Sequence, residues 1–234
     1  MNFSYLEENI AQIKYNIEQA AKKSGRNAED VTLVAVSKTV GADAVRAAYK
    51  FGVTDFGENR VQSLTEKQAE LKEDCSINWH MIGHLQTNKV KNVAGNVSLI
   101  HSLDSLRLAE EIDAVSKSRD VVSDCLIEIN IAKETSKHGI FPENTLNFAQ
   151  TLSDLDNIRV CGLMCVAPYT EKGENNRKYF EKMRKILIDI VNISQHNIDK
   201  PYLSMGMTGD YQVAIEEGAN IVRVGTGLFS QAHA

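Results

Sequence analysis

Val31-Thr-Leu-Val-Ala-Val-Ser-Lys-Thr-Val40 runs mostly apolar and β-branched as far as Val36, then places a lysine, Lys38, where the apolar run stops. A run this short and this rich in valine reads as a buried strand. The turn after it, KTVGAD, lacks the G-x-G-x-x-G that an open nucleotide-binding sheet carries at its first strand–helix turn. Strand patterns at 31–37, 53–56, 78–82, 97–100, 124–131, 158–165, 202–205 and 220–224 alternate with helical patterns at 41–51, 60–72, 87–94, 104–118, 143–154, 174–194 and 209–217. Eight such alternations predict an α/β fold, a parallel sheet closed into one (β/α)8 TIM barrel over residues 1–234. An extra helix precedes it: Leu6, Ile10, Ile13, Ile17 and Ala20 form an apolar stripe within residues 4–23.

Composition narrows the function classes. The 31 acidic and 26 basic side chains leave a formal charge of −5, and no Lys/Arg block occurs, which argues against nucleic acid as a partner. The early acids and broken apolar pattern of MNFSYLEENIAQIKYNIEQAAKK fit neither a signal peptide nor a membrane span. Cys75, Cys125, Cys161 and Cys165 are scattered without a C-x-x-C, as expected in a reducing, cytoplasmic compartment. A monomer is expected.

In such barrels the chemistry sits at the C-terminal ends of the strands. Alternation puts Lys38 on the face of Thr32, Val34 and Val36, and Arg223 on the face of Ile221 and Gly225, so both are expected inside the top of the barrel. Burial and a neighbouring guanidinium would favour a neutral amine, the form that attacks an aldehyde. The last two strand ends read SMGMTGD and GTG, where small residues and the hydroxyls of Ser204, Thr208 and Thr226 suit a phosphate. Together these groups describe pyridoxal 5′-phosphate (PLP), with its aldehyde on Lys38 and its phosphate on the last two loops.

Seven motifs in order, VAVSK, FGENRVQ, WHMIGHLQTNK, SKHG, GLM, LSMGMTGDYQVAI and VRVGTGLF, resemble the pyridoxal phosphate homeostasis protein family over roughly residues 5 to 230. The resemblance implies a barrel like the N-terminal domain of alanine racemase. It implies PLP held as a Schiff base on Lys38 and surrounded by Asn59, Ser204, Thr208, Arg223, Gly225 and Thr226. It further implies a role in intracellular vitamin B6 and amino-acid homeostasis, other B6 vitamers as ligands, and PLP-dependent apoenzymes as recipients. Two departures stand out. The family pattern has serine where Thr208 stands, and VRIGTAIFG where this chain has VRVGTGLFS, so Gly227 and Ser230 also differ.

The competing class is a PLP-dependent amino-acid racemase, which needs acid/base groups on both faces of the substrate carbon. The chain ends about ten residues after the eighth strand, which leaves no room for the β-rich domain that supplies the second group in alanine racemase. Tyr169 is the best internal substitute. An arginine at the pyridine nitrogen also makes the ring a weak electron sink, so a carrier without substantial catalysis is expected. His80 and His84 read as hydrogen-bonding histidines with no third ligand nearby, and no metal is expected; Cys161 and Cys165 read as core, and Lys89 and Lys91 as a solvated helix face. Lys133 and Lys137 follow strand five, where Lys137 is a candidate second contact for the aldehyde.

Overall fold

In the computed structural model, which describes residues 3–193 and 201–231, the expected barrel closes. Strands β1 (Thr32–Val36), β2 (Asp55–Glu58), β3 (Asn78–Met81), β4 (Leu99–Leu103), β5 (Ser123–Ile129), β6 (Ile158–Cys165), β7 (Tyr202–Ser204) and β8 (Ile221–Val224) pair in sequence order. Every pairing is parallel, and β1 completes the ring against β8, with Val34 level with Arg223. Alternation then sorts the residues. Val34, Leu99, Leu126, Cys161, Met164 and Ile221 form an inner apolar cluster, while Ala35, Phe56, Ile127, Leu203 and Val222 face the helices.

Helices α1 (Tyr5–Lys23), α2 (Ala42–Lys50), α3 (Val61–Leu71), α4 (Leu106–Ser118), α5 (Thr145–Thr151), α6 (Arg177–Ile193), α7 (Tyr211–Glu216) and α8 (Thr226–Phe229) surround the sheet. The helix expected at 87–94 is instead a 3-10 run, Thr87–Asn92. The segment expected at 143–154 splits into two 3-10 turns flanking the short α5. Its Pro142 opens the first of these turns, where a missing N–H costs nothing. The helix expected at 174–194 starts later, after a 3-10 turn, and residue 194 lies outside the described residues. No helix among the described residues is long and apolar enough to cross a membrane.

The extra N-terminal helix has a structural task. Because α8 is only four residues long, it cannot cover the seam between β8 and β1, and α1 packs there against α2, α7 and α8. Its stripe, Leu6 to Ala20, is buried as expected. Polar links fix the angle: Asn9 donates to the Leu228 carbonyl (2.9 Å), Asn16 to the Tyr211 hydroxyl (2.9 Å), and Lys23 pairs with Glu216 (2.8 Å). If α1 is part of the core, Ile13→Ala should lower the unfolding free energy by about 2–5 kcal/mol in denaturant titration. Truncating the exposed Tyr15 on the same helix should change it by less than about 0.5 kcal/mol.

Candidate functional site

The C-terminal mouth is built from three pinned segments. The first follows β1, where Ser37 to Val40 form a turn closed by the Val40 N–H on the Ser37 carbonyl (3.1 Å). Below it, the buried Lys67 ammonium donates to the same carbonyl (2.7 Å) and pairs with Glu58 Oε1 (2.5 Å), which also accepts from Ser37 Oγ (2.6 Å). Lys38 rides on this turn. It is exposed at the mouth, on the turn that begins where β1 ends at Val36.

The second segment joins the loops after β2 and β3. Asn59 is exposed at the rim, and Gly83 lies so close to it that a Cβ there would stand 2.3 Å from the Asn59 carbonyl oxygen. Only glycine allows that approach. Asn59, His84, Gln86 and Lys89 line a cavity of about 370 Å³ beside the mouth.

The third segment joins the loops after β7 and β8. Thr226 Oγ1 lies 3.1 Å from Thr208 Oγ1, which also accepts from the Gly227 N–H (3.2 Å). Both threonines are exposed, and Gly209 beside them has open space where a side chain would stand. Gly225 packs on Val36, so this clasp sits next to the β1 turn. The two departures from the family pattern meet here. A Cβ on Gly227 would lie 2.8 Å from Thr208 Cγ2, a methyl that serine lacks, so a threonine at 208 and an alanine at 227 would compete for the same space.

Arg223 is buried between these segments. Its Nη1 donates to Ser204 Oγ (2.6 Å) and its Nη2 to the Cys165 carbonyl (2.8 Å), so the guanidinium reaches toward β6 and β7 and away from Lys38. Ser204 is fully buried, and its hydroxyl also meets His101 Nδ1 (3.0 Å), below the phosphate-suited loops. Sequence reasoning missed Glu128, an acid alternating with Leu126 and Asn130 in CLIEIN. Burial, aided by the charge of Asp104 and opposed by Arg223, pushes its carboxyl up to about 7.

Of the remaining candidates, His80 lies inside the barrel and His84 outside it. The structure does bring two further groups to His84: its ring stacks on His138 at 3.8 Å and bonds Asp104 (3.1 Å). The rings are parallel within 11°, and one ligand atom from each of His84, Asp104 and His138 lies within 4.8 Å of the others, a third group that spacing along the chain did not show. Cys161 packs in the inner cluster and Cys165 in the outer core, and burial pushes their thiols up to about 11 and about 12. The Lys137 ammonium, half-buried, pairs with Glu134 (2.7 Å). Tyr169 is 94% exposed and makes no hydrogen bond to a described residue.

The donor set fits a phosphorylated pyridine aldehyde: an exposed amine, a hydroxyl clasp beside its turn, and a buried guanidinium drawn toward β6 and β7. Gly227→Ala alone should overpack the clasp and cost about 1–3 kcal/mol, whereas Thr208→Ser with Gly227→Ala should recover most of that loss. Denaturant midpoints of the two single variants and the double variant measure the coupling. Glu128 binds a proton in the folded state that the unfolded chain releases at lower pH, so wild-type stability should fall as pH rises from about 4.5 to about 7. Midpoints of Glu128→Gln over the same range should lack that fall.

The alanine racemase N-terminal domain family matches residues 9–232. The pyridoxal phosphate homeostasis protein of Aquifex aeolicus is 42% identical over 224 residues, which cover 96% of this chain and 97% of the relative. The crystal structure of an unknown protein from Bifidobacterium adolescentis superposes with a TM-score of 0.92 at 34% identity, covering 98% of this chain and 97% of that one. The structure of PipY from Synechococcus elongatus, with PLP bound, superposes with a TM-score of 0.83 at 32% identity, covering 96% and 100%. Barrel, mouth motifs and full-length similarity agree, and the chain belongs to the pyridoxal phosphate homeostasis proteins, a branch of the alanine racemase N-terminal domain family.

Proposed function

We propose that this protein holds PLP at the barrel mouth and serves intracellular vitamin B6 homeostasis as a carrier without substantial catalysis. The observation that carries the reading is the arrangement at one mouth of an exposed lysine on a pinned turn, a threonine clasp beside that turn, and a buried arginine held by Ser204. Lys38 supplies the amine for the aldehyde. Thr208, Thr226 and the open backbone at Gly209 receive the phosphate, with Gly225 keeping that loop against β1. Asn59 borders the ring from the opposite rim, and Ser204 contributes by holding Arg223. Bound PLP supplies an electrophilic aldehyde and a conjugated ring.

The carrier reading draws on the character of the surrounding groups. Arg223 remains a cation, and a permanent donor leaves the pyridine nitrogen unprotonated. Tyr169, the candidate second acid/base, is exposed and unengaged among the described residues. An exposed Lys38 also suits release to recipient apoenzymes, since the bond to the aldehyde is open to water and to a competing amine. A cytoplasmic setting, where such apoenzymes reside, fits this role.

Borohydride reduction of the PLP-loaded protein followed by peptide mapping should place the cofactor mass on the peptide containing Lys38. Lys38→Ala should lose the visible absorption of the loaded protein, and identical spectra in both would reject Lys38 as the anchor. Incubation with L- and D-amino acids should show no turnover at ordinary enzymatic rates, about 1–10³ s⁻¹, and rates in that range would replace the carrier by a racemase or transaminase.

A further inference from the structure

A barrel interior is ordinarily filled with apolar side chains, yet five polar groups form a continuous chain through this one. Arg223 Nη1 lies 2.6 Å from Ser204 Oγ, Ser204 Oγ 3.0 Å from His101 Nδ1, His101 Nε2 2.9 Å from His80 Nδ1, and His80 Nε2 3.0 Å from Asp55 Oδ1. The five residues come from β8, β7, β4, β3 and β2. Asp55 stands at the start of β2, at the end of the barrel opposite the mouth, with its side chain 18% exposed.

The two ends fit one direction of donation through neutral rings. A guanidinium only donates, so Ser204 accepts from Arg223, and its own hydrogen is available to His101 Nδ1. His101 is fully buried, and burial above all holds its pKa well below the ordinary value, so the ring is neutral. Its single N–H is therefore on Nε2 and donates to His80 Nδ1. The His80 proton is left on Nε2, where it donates to Asp55. Although burial alone would raise the Asp55 pKa, hydrogen bonds from His80 and Thr54 bring it below the ordinary value, so the chain ends on a carboxylate.

We propose that Asp55, His80, His101 and Ser204 are positioning residues, a one-directional hydrogen-bond relay that fixes Arg223 against the cofactor ring and links its charge to a carboxylate at the far end of the barrel. The proposal rests on the reading that Arg223 faces bound PLP. Its cost explains why it needs a purpose: an apolar interior would satisfy the fold without burying four additional polar groups. Held at Ser204 and Cys165, the guanidinium keeps its remaining N–H groups in one orientation, without hydrogen bonds to other described residues.

Two independent measurements decide this. In the cofactor-free protein, long-range nitrogen–proton NMR at neutral pH should show His80 and His101 both neutral and both as the Nε2–H tautomer. A cationic ring or an Nδ1–H tautomer at either position would overturn the relay, whatever PLP does. In the loaded protein, His101→Leu should weaken PLP affinity roughly tenfold to a hundredfold, the scale of a hydrogen bond to a charged group, and should shift the visible absorption. Should His101→Leu not fold, Asp55→Asn, which keeps an acceptor and removes only the charge, should move the absorption and its pH profile in the same direction. Unchanged affinity and spectrum in a folded variant would sink the positioning role, whereas a wild-type protein that takes up no PLP would sink the functional reading and leave the NMR result standing.

Discussion

A closed parallel barrel has no edge and no water at its centre, so any polar group placed inside must find its partner on another strand. Arg223 meets this constraint twice, through Ser204 on β7 and through the Cys165 carbonyl on β6. The rest of the site follows from that anchorage. With the guanidinium drawn toward β6 and β7, the β1 side of the mouth is free for the turn that carries Lys38. The hydroxyl clasp closes the gap between the two.

The same logic of paired burial operates outside the barrel wall. Glu58 is completely buried between β2 and α3, where an unpaired carboxylate would be very costly, and Lys67 and Ser37 both serve it. The arrangement is expensive relative to apolar packing. What it secures is the Ser37 carbonyl, one peptide from Lys38, so that an exposed and flexible side chain starts from a fixed backbone. A carrier needs this combination: the reactive amine must be reachable by solvent and partners, while its attachment point must not wander.

Departures from the family pattern are easier to understand in pairs than singly. Thr208 looks like a conservative gain of a methyl and Gly227 like an unexplained loss of one. Across the clasp they occupy one volume, and the packing of that loop pair tolerates the methyl on either side but not on both. The hydroxyl at position 208 is preserved, and it still receives the Gly227 N–H.

Residue spacing alone determined the strand–helix alternation, the order of the eight strands, the buried stripe of α1 and the inward faces of Val34, Ile221 and Arg223. These are periodicities inside one element, set by the pleat or the helical turn, and a few neighbours suffice to read them. The mouth motifs and the family were legible for a similar reason, since each is a short local string. Only the tertiary structure decided that Lys38 is exposed on a pinned turn, that Ser204 serves Arg223 from below, that burial pushes the Glu128 carboxyl up, and that His80 and His101 share one chain of hydrogen bonds. Each of these depends on which strand end or strand face meets which across the barrel, and that is set by closure and stagger of the whole sheet, to which no single segment is privy.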